Sequence, residues 1–217
     1  MKVRTINELQ DKLDQDIQWR KKELVDFKFV IESNRYSHRR LPLVRGGIAL
    51  SYAHWEGFVK MASTIFISFV SVKKIPLDQM QLNFIALSYM KRLNKGNGIG
   101  ECIDLIDDIL NNGKETCKIY DKDVIDTKSN LKFHVLRDIL LSLGLDESHF
   151  ASNENFIDKK LVEPRNDIAH GTYRDIDYSD FVTVYDNVIP LMEYYKTLIE
   201  NSASRDSYKR LSPSLSN

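Results

Sequence analysis

The sequence predicts an all-α fold, an antiparallel helical bundle, and three observations carry that expectation. Apolar residues recur at three- and four-residue spacing over most of the 217 positions, proline totals only five, and strand-like alternation is confined to one short stretch. With 42% apolar and 29% charged residues, the composition is that of one globular domain with a sizeable core. That domain is expected to span 1–200, followed by a serine-rich, disordered tail over 201–217.

Residues 5–33 place Ile6, Leu9, Leu13, Ile17, Leu24, Phe27 and Val30 on one helical stripe. A basic, proline-containing connection, NRYSHRRLP, follows, and the apolar segment 43–72 reads as the central helix. Residues 78–92 predict a third. The longest uncharged apolar runs, 61–72 and 79–90, are 12 residues each, against the roughly 20 of a membrane span, so both read as buried helices. An irregular insertion is expected near 96–128. It contains a loop, NKGNGIGE, a short helix over CIDLIDDIL and a small hairpin over CKIYDKDVIDT. The glycines of GNGIG follow no clear strand and do not fit a dinucleotide-binding fingerprint. TKSNLKFHVLRDILLSLGL supplies capping residues, apolar positions Leu131, Val135, Ile139 and Leu140, and a stop at Gly144. The last helix, in DYSDFVTVYDNVIPLMEYYKTLIE, is expected to start at a Ser179 or Asp180 cap and to kink at Pro190.

Lys plus Arg and Asp plus Glu both number 31, so a polyanionic partner would have to meet a local cluster rather than a global charge. Arg35, His38, Arg39, Arg40 and Arg45 form the densest one. Arg39, Arg40 and Arg45 are the candidate contacts to an RNA backbone; the plainer reading is a solvated basic loop. The two cysteines, Cys102 and Cys117, lie in no CxxC and near no histidine, so neither a metal site nor a cofactor is expected. Their scarcity fits a reducing compartment. The charged N-terminus lacks a signal-peptide core, so a cytoplasmic protein without membrane association is expected.

The stretch EPRNDIAHGTY, 163–173, sets an arginine, an asparagine and a histidine within six residues of an apolar pattern. On a helix, Asn166 and His170 share a face, whereas Arg165 and His170 diverge by about 140°. One helix therefore cannot press both onto one small atom; a long reach, or a second copy of the helix, would complete a site. Ile168 and Ala169 are expected to pack inward, and Gly171 is a natural C′ residue that puts His170 in the last turn. If Pro164 is the first helical residue, free amides there could face a phosphate. The chemistry open to this set is RNA cleavage: a histidine moves the proton of the 2′-hydroxyl or the leaving oxygen, an arginine holds the phosphate, and an asparagine orients either.

RNDIAHG has the form R-N-x3-H of the HEPN superfamily. With YAHWEGFVK (52–60) and SNLKFHVL (129–136) in the same order, the chain resembles HEPN proteins of prokaryotic toxin and defence systems. The likeness covers about residues 40 to 200 loosely and is sharp in those three stretches. The resemblance implies a helical bundle, a homodimer and a metal-independent endoribonuclease whose Arg and His lie at the dimer cleft, with an antitoxin or defence-system protein as a further partner. Arg165 and His170 become the catalytic pair, and Asn166 the supporting polar residue. Some such toxins carry a tyrosine two residues after the histidine that a partner enzyme modifies; here Thr172 stands there and Tyr173 follows. Tyr52, Glu56 and Asp167 are candidate cleft residues. For Trp55, Phe58 and Val59 the core is the simpler place, for Glu56 an i,i+4 pair with Lys60, and for Asp167 a helix-surface pairing. The alternative function is a HEPN-like module that binds RNA or a nucleotide and assembles with a partner without catalysis.

Overall fold

The computed structural model describes residues 2–93, 98–119 and 125–210, and these contain eight α-helices and no strand. The first, α1 (Ile6–Ser33), starts where Thr5 accepts the Glu8 amide at 3.1 Å and the Glu8 carboxylate accepts the Arg4 amide at 2.7 Å. The central helix, α2 (Arg40–Ser71), begins three residues before its apolar run. Pro42 falls in its first turn, where a missing amide costs nothing. It is buried on nearly every side, between α1 and the last helix, α8 (Tyr178–Ser204).

Gly47 of α2 meets Ile31 and Phe181 at one end, and Ser63 meets Tyr195 at 2.6 Å further along, so α2 and α8 run parallel. The pairs Lys21–Glu193 and Lys196–Asp14 set α1 antiparallel to α8. The chain between α2 and α8 has to return to the starting end, and α3 to α7 make that crossover.

After a 3-10 turn (Leu77–Gln79) come α3 (Leu82–Leu93) and α4 (Ile99–Asn111), the latter starting three residues before the expected helix. The expected hairpin over 117–127 is not formed by its described residues. Cys117 instead donates its amide to Ile75, and Thr116 bridges to Pro76, because Cys117 and Ile119 are buried against the bundle rather than alternating. Residues 120–124 of that stretch, and 94–97 of the expected loop, lie outside the described residues.

α5 (Phe133–Leu143) is not capped by its own TKSN residues. The Asp158 carboxylate, from a later segment, accepts the Phe133 amide at 2.7 Å, and Gly144 closes the helix at φ +65°. α6 (Ser148–Ser152) and a π-helical segment (Phe156–Val162) lead into α7 (Glu163–Ala169). α8 is capped by Asp177, not Ser179 or Asp180: its carboxylate accepts the Asp180 amide while that of Asp180 accepts the Asp177 amide. The helix runs on through Pro190 to Ser204, and Ser202, Ala203 and Tyr208 are buried. Residues 201–210 are therefore ordered against the bundle, where serine content had put them in a tail; 211–217 lie outside the described residues. No described helix is long and apolar enough to cross a membrane.

Candidate functional site

The motif helix α7 grows out of the π-helical segment without a break: Val162 keeps helical angles, and the Glu163 amide donates to Asp158, five residues back. Pro164 has no amide and its ring crowds the preceding turn. A widened turn immediately upstream is a form in which a helix can continue through it. The distortion thus sits before the motif, and Arg165 to Ala169 stay α-helical. The expected free amides at the start of this helix are absent, because the chain arrives already helical. At the other end His170, Gly171 and Thr172 donate to the carbonyls of Asn166, Ile168 and Asp167, with Gly171 at φ +70°. The last two bonds make a Schellman end, which seats His170 at the C-cap. Ile168 packs against the core as expected; Ala169 is exposed, since the short helix turns only one flank to α2.

Arg165 is half-buried and held from three directions. Its guanidinium lies 4.4 Å over the Tyr52 ring, and Nη1 donates to the Ser129 carbonyl at 3.3 Å and to Asn166 Oδ1 at 2.9 Å. Asn166 Nδ2 in turn donates to Asn130 Oδ1 at 3.2 Å, so the Asn166 side chain serves the arginine and not the histidine. Tyr52 is fully buried, and its hydroxyl accepts the Leu131 amide at 2.8 Å. Burial pushes its phenol up to about 12, with the Glu56 charge adding and the Leu131 amide and Arg165 opposing, so it stays protonated at neutral pH. Glu56 faces that hydroxyl, and its Oε1 is buried without a hydrogen-bond partner; no ion pair joins it to Lys60. Packing therefore takes Glu56 from the helix-surface pairing expected of it.

His170 is exposed, and no hydrogen bond, ion pair or ring contact joins its imidazole to another described residue, Arg165 included. Asp167 is paired with Arg174 at 2.7 Å. The basic loop comes to the same end of the molecule. Arg45 Nη2 donates to the Thr172 carbonyl at 3.2 Å, Arg35 lies 4.6 Å over the Tyr178 ring, and Asp177 is depressed by hydrogen bonds from Ser179 and Asp180, with a smaller contribution from Arg40. Arg39 and Arg40 are exposed. A polar pocket of about 230 Å³ beside Pro164 is lined by Lys160, Arg174, Asp175 and Asp180; neither Arg165 nor His170 lines it. His54 is on the far side of α2, buried against Trp19 and 2.8 Å from Glu23, away from the motif.

A family model described as RiboL-PSP-HEPN matches residues 15–201, from within α1 to most of α8 and including every residue of the Arg165 site. The chain belongs to the RiboL-PSP-HEPN family. No curated protein and no solved structure matches it. Family membership supports a HEPN-type, RNA-related function.

Within this HEPN domain, the R-N-x3-H residues divide into two parts. Arg165 and Asn166 belong to a network with Tyr52, Ser129 and Asn130, a fixed cationic group at the surface. His170 stands apart, exposed and with no side-chain hydrogen bond or ion pair to the other described residues. Ser129 and Asn130 are in the stretch that resembles HEPN sequences, yet no spacing rule tied them to Arg165, 36 positions on. Such a set can bind a phosphate at the guanidinium and exchange a proton at the imidazole.

Proposed function

We propose that this HEPN protein is a metal-independent endoribonuclease, of a toxin or defence type, working as a homodimer. The observation that carries the reading is the contrast between its two motif residues. Arg165 is braced on Tyr52, Asn166 and the Ser129 carbonyl, while His170 stands exposed at a helix end beside a basic loop, its imidazole without a hydrogen-bond partner among the described residues. A braced guanidinium can hold a phosphate and offset the charge that builds on it at no cost in reorganisation. A free imidazole can take the 2′-hydroxyl proton as the 2′-oxygen bonds to phosphorus, and the 5′-oxygen leaves with a proton as its bond to phosphorus breaks. The products are a 2′,3′-cyclic phosphate and a 5′-hydroxyl. DNA lacks the 2′-hydroxyl and is not cleaved by this route.

A homodimer supplies what one helix cannot. Arg165 and His170 point about 140° apart, and a two-fold axis beside Asn166 and His170 would gather two of each in one cleft. An antitoxin or defence-system protein would then act by covering that cleft.

The test is incubation of the pure protein with total RNA in EDTA. Wild type is expected to cleave, leaving cyclic phosphate and 5′-hydroxyl ends, and Arg165→Ala and His170→Ala to be inactive with unchanged helicity and mass in light scattering. Mixing the two inactive variants should restore part of the activity. Ends carrying 5′-phosphate, or a need for added Mg²⁺, would overturn the mechanism. A monomer cleaving at full rate would overturn the shared site. RNA binding without cleavage would return the protein to the non-catalytic alternative.

A further inference from the structure

The most exposed large apolar side chains among the described residues are Tyr36, 94% exposed, and Tyr173, 81% exposed. Both lie at the one end of the molecule where the basic loop and the motif meet. Tyr36 sits between Arg35 and Arg39 in the α1–α2 connection, and Tyr173 stands three residues past His170. Arg45 of α2 donates to Thr172 in the second loop, and the Arg35 guanidinium of the first lies over Tyr178 at the start of α8. At such exposure neither ring supports the fold, and neither hydroxyl has a hydrogen-bond partner among the described residues. Chance would scatter the two most exposed rings over the surface. Here each is flanked by arginines, Arg35 at 5.8 Å from the Tyr36 ring and Arg174 next to Tyr173.

We propose that Tyr36 and Tyr173 are stacking platforms for unpaired bases, so that this site takes single-stranded RNA and turns duplex away. An open aromatic face accepts any base, whereas in a duplex both faces of each base are already stacked. The exposed Arg39 and Arg40 at this end meet the phosphates of the same strand and supply affinity without sequence preference. Tyr173, three residues past His170, holds a base on the His170 side of the cleft, and Tyr36 holds one further along the strand. The inference rests on the RNA reading above.

The test uses full-length protein carrying His170→Ala, so that binding is measured without cleavage. Fluorescence anisotropy follows an end-labelled single-stranded RNA 12-mer, the same RNA as a blunt duplex, and the single strand with two abasic sites. Tyr36→Ala and Tyr173→Ala are each expected to weaken single-strand binding by roughly 5- to 100-fold, with the salt slope unchanged. Tyr→Phe at either position should restore binding, and the duplex and abasic strands should bind weakly whatever stands at 36 and 173. Arg39→Gln with Arg40→Gln is the contrast: it should flatten the salt slope. Binding within twofold of the parent in the alanine variants, phenylalanine variants as weak as alanine, or duplex bound as tightly as single strand would overturn the inference while leaving the RNA reading intact. No binding of any RNA by the parent would overturn both. Tyrosine-dependent binding with no cleavage by wild type would uphold the platforms and remove the catalytic reading alone.

Discussion

Replacing Tyr52 separates two roles that one side chain combines. Its hydroxyl accepts the amide of Leu131, a residue with no solvent exposure, and its ring carries the Arg165 guanidinium at 4.4 Å. Tyr52→Phe keeps the ring and leaves a buried amide without an acceptor, a loss of roughly 1–3 kcal/mol. Glu56, whose Oε1 already lacks a partner, loses its nearest donor as well, which places the expectation in the upper half of that range. For a domain of this size each kcal/mol moves Tm by about 2–4 °C, so a fall of roughly 4–12 °C is expected. Activity at saturating RNA should stay within a few-fold, because the platform under Arg165 remains. Tyr52→Leu removes the platform too. A partly buried cation–π contact contributes about 1–2 kcal/mol, and its loss should lower kcat by about 5- to 30-fold beyond the phenylalanine variant. Thermal unfolding by circular dichroism and single-turnover cleavage read the two effects separately. A Tyr52→Phe protein melting with wild type would remove the role given to the hydroxyl, and a Tyr52→Leu protein with undiminished kcat the role given to the ring.

Two further expectations concern the scaffold. A Cβ on Gly47 would stand 2.7 Å from both Ile31 and Phe181, at the meeting of α1, α2 and α8, so Gly47→Ala should destabilise by about 1–3 kcal/mol in urea unfolding; an unchanged midpoint would mean the helices part freely there. Burial holds the His54 imidazole below its ordinary value of 6.5, with Glu23 opposing and Arg20 adding. The unfolded chain therefore binds a proton that the native state resists. Stability should be intact above about pH 6.5 and fall as the pH drops through it, and this slope should be reduced in His54→Gln when urea midpoints are compared from pH 7.5 to 5.5.

Much of the architecture was legible because helical periodicity is a local property. The stripe Leu9, Leu13, Ile17 and Leu24 is buried as its spacing requires, Gly144 ends α5, and Gly171 seats His170 at a C-cap. The errors fall where a distant group replaced a local one. Asp158 caps α5 in place of the nearby Ser and Asn, Ile75 takes the Cys117 amide that a hairpin would have used, and Tyr208 is buried although its neighbours are polar.

The fold class, the run of the long helices and the angular spread of Arg165, Asn166 and His170 each follow from spacing along one chain segment. Packing sets which partners those residues meet. Spacing cannot show that Tyr52 comes under Arg165 from 113 positions away, that Asn130 takes up Asn166, or that Arg45 reaches the loop just past His170. Those meetings depend on how α2 lies against α7 and on where the crossover returns the chain. Periodicity tells which face of a helix is apolar, and packing chooses what that face touches.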